Sequence, residues 1–253
     1  KTTNIGFLRY LLVRKAEKTG EILINLITTS QSILNEKELV DLILNINLQG
    51  TVKCIAHSIF DGVADVAKAD TMKILYGEDK ITEELLGLKF NISSFSFFQT
   101  NPLGAEKLYS IVRDFIGKTR DKTIFDLYSG TGTIGQILAP TAKKVIGIEI
   151  VKEAVEKANE NAKLNNLTNC TFIAGDVLKK IDELNEKPDI IVLDPPREGI
   201  HPKAIQKIIN YKPETFIYIS CKPTSLKNDL PVFLENGYKV VKVQCVDMFP
   251  QTG

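Results

Sequence analysis

Cys221 and Asp194 are the residues whose type and placement could do chemistry. Cys221 lies in Ile219-Ser220-Cys221-Lys222-Pro223, after the apolar run Phe216-Ile217-Tyr218-Ile219. Asp194 opens Asp194-Pro195-Pro196-Arg197, after Ile190-Ile191-Val192-Leu193. Each run reads as a short buried strand, so thiol and carboxylate stand at the carboxyl ends of two successive strands. Open α/β sheets bind ligands in the crevice outside those ends. A thiolate is a soft nucleophile suited to an electron-poor ring carbon, which points to covalent catalysis on a base.

A second constellation lies upstream. Asp126-Leu127-Tyr128-Ser129-Gly130-Thr131-Gly132-Thr133-Ile134-Gly135 joins a strand to a helix, and its glycines satisfy G-x-G-x-x-G. Glu149 follows at the end of the next strand, at the spacing expected for a carboxylate on ribose hydroxyls. The loop therefore reads as a nucleoside-cofactor site. Asp126, at the start of the turn, suits a cationic ligand better than a pyrophosphate. Asp176, in Gly175-Asp176, either takes an adenine amino group or caps a helix, and the two roles are compatible. Asp194-Pro195-Pro196 is foreign to the dinucleotide fingerprint. Together these favour S-adenosylmethionine over NAD.

The elements that must position these groups fall into two blocks. Residues 1–94 read as a small α+β domain. Tyr10–Val13 and Ile22–Thr28 form a hairpin across Glu17-Lys18-Thr19-Gly20. Asn35 and Glu38 start a helix to about Ile46, and strands follow at Thr51–Ile59, Met72–Tyr76 and Phe90–Ser94. Residues 95–253 open with a helix capped by Asn101 and begun by Pro102, running to about Ile116. Strands at Thr123–Leu127, Lys144–Glu149, Cys170–Ala174, Asp189–Leu193 and Thr215–Ile219 then alternate with helices at Thr133–Leu138, Lys152–Asn165, Val177–Leu184, Pro202–Ile209 and Leu226–Glu235. This predicts a mostly parallel α/β sheet covered by helices. Tyr238–Val246 is predicted as a final strand.

Composition narrows the class. The chain has 253 residues, 43% apolar and 25% charged, with net charge +1, ordinary for a soluble globular protein. No apolar run is long enough to span a membrane, and no signal peptide is visible. The cysteines Cys54, Cys170, Cys221 and Cys245 form no C-x-x-C pair, so no metal site is expected. Free thiols fit a reducing cytoplasm. Cys54, Cys170 and Cys245 read as small buried hydrophobes, and His57 as structural. Bulk charge shows no nucleic-acid footprint, so any footprint is local; Arg197, Lys203, Lys207, Lys222 and Lys227 gather in sequence around the crevice or form a solvated rim.

In this order the motifs resemble the 5-methyluridine (uracil-C5) RNA methyltransferase family. The matching pieces are Phe97-Phe98-Gln99-Thr100-Asn101, the Asp126–Gly132 loop, Gly147-Ile148-Glu149, Asp194-Pro195-Pro196-Arg197-Glu198-Gly199, Ser220-Cys221-Lys222-Pro223 and Asp247–Gly253. The first block resembles that family's central domain less distinctively.

The resemblance implies a Rossmann-like fold binding S-adenosylmethionine through Gln99, Tyr128, Glu149 and Asp194. Asp126, Gly130, Gly132 and Asp176 complete the expected cofactor set. It implies that Cys221 adds to uracil C6, with Asp194 at the uracil edge and Arg197 and Lys222 toward RNA. The family usually has Asn where Lys222 stands; this ammonium would favour the thiolate or contact RNA. The family motif continues beyond Gly253 to a glutamate general base and a last antiparallel strand. The chain is therefore expected to bind cofactor and form the adduct, with turnover in doubt. Neither an N-terminal RNA-binding barrel nor an iron–sulfur cysteine cluster is visible. The expected substrate is 23S ribosomal RNA, with tRNA as runner-up, and no obligate protein partner is evident. The other readings are a non-catalytic RNA-binding fragment, an NAD-dependent oxidoreductase, which leaves Cys221 idle, and an amino-directed methyltransferase, which would want an aromatic residue where Arg197 stands.

Overall fold

The computed structural model describes residues 5–252. Two compact units divide between Phe98 and Gln99. The expected boundary fell four residues earlier in sequence, after position 94. Residues 95–98 stay with the first unit because Ser94 is held by the Asp79 carboxylate and Phe98 packs on Phe90.

In the first unit, β1 (Leu8–Lys15), β2 (Glu21–Thr28), β3 (Thr51–Ile59) and β4 (Thr71–Gly77) form one sheet in that order. The expected hairpin is present as the antiparallel β1–β2 pair. β2 and β3 are parallel, joined by α1 (Glu36–Asn45), which Asn35 caps by accepting from the Glu38 amide. A further hairpin pairs β5 (Ile81–Leu85) with β6 (Leu88–Ile92). β5 was not expected, because Thr82, Glu83 and Glu84 break its apolar pattern. Glu83 is nevertheless buried, accepting from the Glu17, Lys18 and Glu84 amides. His57 bonds to Thr28 and faces Glu36.

The second unit begins with α2 (Pro102–Ile116), whose cap Asn101 accepts from the Gly104 amide. It continues through β7 (Thr119–Leu127), α3 (Thr133–Leu138), β8 (Ala142–Glu149), α4 (Lys152–Leu164), β9 (Cys170–Ala174), α5 (Val177–Lys180), β10 (Ile190–Leu193), α6 (Pro202–Asn210), β11 (Thr215–Tyr218) and α7 (Pro223–Glu235). The sheet order is β11-β10-β7-β8-β9, and every pair is parallel. A parallel sheet covered on both faces needs continuous apolar strands; Ile190–Leu193 is buried throughout. Phe125, Leu127, Ile146, Ile148, Ile191 and Leu193 pack there against Ile205, Ile208 and Phe233. No helix among the described residues is long and apolar enough to cross a membrane.

Two expectations fail near the C-terminus. Tyr238–Val246 forms no strand, and Val240, Val241 and Val243 are exposed. Strand propensity reflects fit to a packed pleated surface, and these valines pack on none. For the same reason Cys245 is exposed rather than buried. Cys54 and Cys170 are buried as expected, and burial pushes both thiols up to about 11.

Candidate active site

The strand order decides where a ligand can sit. The chain runs β7 to β8 to β9 in one direction, then returns to place β10 and β11 on the other side of β7. The crevice at such a switch point lies outside the carboxyl ends of β7 and β10. Register aligns Leu127 with both Ile148 and Leu193, and Leu193 with Tyr218. The next row therefore holds Tyr128, Glu149, Asp194 and Ile219, and the Asp194 and Ile219 amides reach back to the Leu127 and Leu193 carbonyls. Neighbouring strands are about 4.8 Å apart, so motifs distant in sequence share one rim.

The glycine loop turns sharply at this rim. Tyr128 has φ +66°, a conformation costly for a side-chain-bearing residue and typical of functional turns. Gly132, at φ +71°, lets the loop approach its support: a Cβ there would stand 2.6 Å from the Phe172 ring and 2.8 Å from Ala158 Cβ. A Cβ on Gly130 would meet nothing within 4 Å, so that side of the loop is open. The Glu149 carboxylate pins the turn, accepting from the Gly130 amide at 3.0 Å and the Val151 amide at 2.9 Å.

Three carboxyls crowd this crevice. Asp126 is fully buried, and its Oδ2 accepts from the Gly135 amide at 2.9 Å. Burial, reinforced by Asp194 and Glu149, outweighs that bond and pushes Asp126 up to about 7. Burial alone raises Asp194 to about 6. Asp126 Oδ1 and Ser129 Oγ are buried without a partner among the described residues. Asp176 caps α5 through the Leu178 amide at 2.9 Å, the capping role anticipated for it.

These shifts make stability depend on pH. Folding raises both carboxyls above the unfolded value of 3.8. Their stabilising contribution is therefore complete below that value and is lost as pH rises through about 6 for Asp194 and about 7 for Asp126. In melting curves of the ligand-free chain, stability should fall between pH about 4 and 7, by at most about 1.4 kcal/mol per pH unit for each group. Asp126→Asn should flatten the upper part of that fall; an unchanged slope would show that Asp126 is ionised throughout.

Cys221 occupies the turn between β11 and α7, exposed, with Pro223 opening the helix. Lys222 is exposed on the same turn, and Arg197 on the turn after β10. The basic group is smaller than its sequence implied, because Lys207 is engaged by the Leu178 carbonyl and the Asp182 carboxylate. Pro195 is buried, and Pro196 accepts from Gly199 in a tight turn.

Sequence reasoning missed Tyr109, Tyr218, Ser225 and Asp229. Tyr109, buried on α2, hydrogen-bonds Gln99; burial and then Asp194 raise its hydroxyl well above the usual phenol range. Asp229, on α7, accepts from the Ile200 amide and the Tyr218 hydroxyl. The helical position of Tyr109 and the lone acid on the apolar face of α7 were visible, but their partners were not.

Residues 24–253 match the family described as tRNA (Uracil-5-)-methyltransferase. A Clostridium tetani protein named as an uncharacterized RNA methyltransferase is 59% identical over 247 residues, 98% of this chain and 54% of its own length. A similarly named protein of Caldanaerobacter subterraneus is 55% identical over 252 residues, 100% of this chain and 56% of its own length. The chain thus spans about half the length of the curated relatives it matches. The crystal structure of Pyrococcus abyssi tRNA (uracil-54, C5)-methyltransferase in complex with S-adenosyl-L-homocysteine superposes with TM-score 0.74 at 27% identity, covering 90% of this chain and 53% of that one.

Proposed function

The chain belongs to the tRNA (uracil-5-)-methyltransferase family, and from that premise we propose that it carries the catalytic site of an S-adenosylmethionine-dependent enzyme that methylates C5 of a uridine in RNA. Its second unit has the Rossmann-like fold of S-adenosylmethionine-dependent methyltransferases. The observation that supports the proposal is the shared rim: the register puts Asp194 and Ile219 in one row with Tyr128 and Glu149, and Cys221 follows two residues after Ile219.

The residues fit the cofactor. The open face of Gly130, the orphaned Asp126 Oδ1 and Ser129 Oγ, and the Glu149 carboxylate offer a polar cradle. Gln99, Tyr128, Gly132, Asp176 and Asp194 complete the proposed set. When bound, the sulfonium supplies an electrophilic methyl group. Asp126 and Asp194, once ionised, favour a cation there.

Uracil C5 is a weak nucleophile. The Cys221 thiolate adds to C6, forming the S–C6 bond while the C5–C6 π pair shifts toward C5 and O4. C5 is then enolate-like and can accept a methyl group. Loss of the C5 proton to a general base returns an electron pair that expels the thiolate, restoring the double bond. Asp194 orients the base through its edge, and Arg197 and Lys222 face the phosphates. A base inside a helix is out of reach of such a turn, so it must be flipped out or presented in a loop.

We assign the RNA to 23S ribosomal RNA, from the first unit's resemblance to that branch's central domain. A tRNA is the second reading, favoured by the substrate named for the Pyrococcus abyssi enzyme. The test offers the full-length protein 5-fluorouridine-substituted ribosomal RNA and tRNA with S-adenosylmethionine. Fluorine cannot leave as a cation, so a covalent complex should persist on a denaturing gel and vanish with Cys221→Ala. The RNA that traps the enzyme identifies the substrate. No complex with either RNA, despite cofactor binding, would overturn the uracil-C5 reading.

A further inference from the structure

The turns that carry Cys221 and Asp194 are both fastened to one face of α7. Asp229 Oδ2 accepts from the Ile200 amide at 2.9 Å and from the Tyr218 hydroxyl at 2.6 Å. Ile200 closes the Asp194–Gly199 loop, and Tyr218 ends β11 immediately before Ile219-Ser220-Cys221. Ser225, one helical turn before Asp229 on the same face, donates its hydroxyl to the Arg197 carbonyl. Both helix residues are buried, at 7% exposure each. Gly199, at φ +89°, brings the loop against the carboxylate; a Cβ there would lie 3.0 Å from Asp229 Oδ2.

Resting on the reading of Cys221 as nucleophile, we propose that Asp229 is a positioning residue that locks the Cys221 turn and the Asp194–Gly199 loop into one register. A buried carboxylate is tolerated only where donors meet it. Here one donor comes from the residue that closes the Asp194–Gly199 loop and one from the strand end leading into the Cys221 turn, so displacing either leaves the carboxylate underserved. The two loops are therefore held together rather than separately. The Tyr218 hydroxyl is raised far above the usual phenol range by burial, then by its bond to Asp229 and by the Asp229 charge, so it remains a donor.

The test uses the full-length enzyme with Asp229→Asn and Tyr218→Phe. Binding-competent sites are counted by S-adenosylhomocysteine titration, so that misfolded protein drops out of the rate. Tyr218→Phe keeps the ring packed edge-on against Phe233, at 6.4 Å between centroids, and is the safeguard if Asp229→Asn folds poorly. Small displacements of reacting groups can cost about a hundredfold. We expect kcat per competent site to fall about a hundredfold in Asp229→Asn and about tenfold in Tyr218→Phe. The affinity for S-adenosylhomocysteine should fall by a far smaller factor than kcat, because Asp194 is only one of its proposed contacts. Adding Tyr218→Phe to Asp229→Asn should cost little more, because both remove one interaction. An active parent whose variants keep kcat within about twofold per competent site would overturn the positioning role alone. A parent whose Cys221 forms no adduct with uridine RNA would instead overturn the functional reading, and this role with it.

Discussion

Replacing Cys221 by alanine should lower kcat by at least about four orders of magnitude, the scale on which removing a covalent nucleophile acts. The reason is electronic. Without addition at C6, the C5 carbon keeps its conjugated π system and has little electron density to offer a methyl donor. Serine should fare no better, because a hydroxyl at neutral pH is a far weaker nucleophile than a thiolate. The substitution should leave the fold intact: the side chain is exposed in the turn between β11 and α7, where substitutions usually change stability by less than about 0.5 kcal/mol. S-adenosylhomocysteine affinity and melting temperature should therefore match the parent. A Cys221→Ala enzyme retaining a tenth of the parent's kcat would refute the covalent mechanism. Methyl transfer from tritiated S-adenosylmethionine to RNA, measured in single turnover, reads the step directly.

Glu149→Ala should have the second largest effect, on cofactor binding. The carboxylate holds the Gly130 and Val151 amides at 3.0 and 2.9 Å, so its loss removes the proposed ribose partner and the anchor of the glycine loop together. Hydrogen bonds to a charged group contribute about 1.5–3 kcal/mol. Affinity should fall about 10- to 100-fold, and by similar factors for S-adenosylmethionine and S-adenosylhomocysteine, since both carry the same ribose. Asp126→Asn offers a contrast: it removes charge, so it should weaken the sulfonium more than the thioether, most clearly above pH about 7 where Asp126 is ionised. Isothermal titration of both ligands would check the two patterns. Affinity for both ligands within about twofold of the parent would remove Glu149 from the site.

Much of the scaffold of the candidate site was legible without coordinates because its signals are local. Asp126–Gly135 announces a strand-to-helix turn by its glycines, and the Asn101 and Asp176 caps act within a few residues of themselves. The runs Ile190–Leu193 and Thr215–Tyr218 announce buried strands by composition alone. Where the local signal misled, the deciding partner was distant or absent. Thr82, Glu83 and Glu84 hide β5, because what makes Glu83 acceptable inside is the Glu17 and Lys18 amides across the fold. Tyr238–Val246 has strand composition, but no sheet surface receives it.

Sequence alone therefore determined the chemistry on offer: a thiol and a carboxylate at strand ends, a glycine turn and a carboxylate beyond it. Tertiary structure decided that their strands end along one rim. Strand order is a long-range choice, set by how the helices cover both faces of the sheet, and only that order puts β10 beside β7 and brings Asp194 to the glycine loop. Burial likewise belongs to the packed whole. It raised Asp126 and Asp194, and it placed Asp229 under two loops that share no local pattern with it. Capping and periodicity are written in neighbouring residues, whereas desolvation and strand adjacency arise only when distant segments exclude water together.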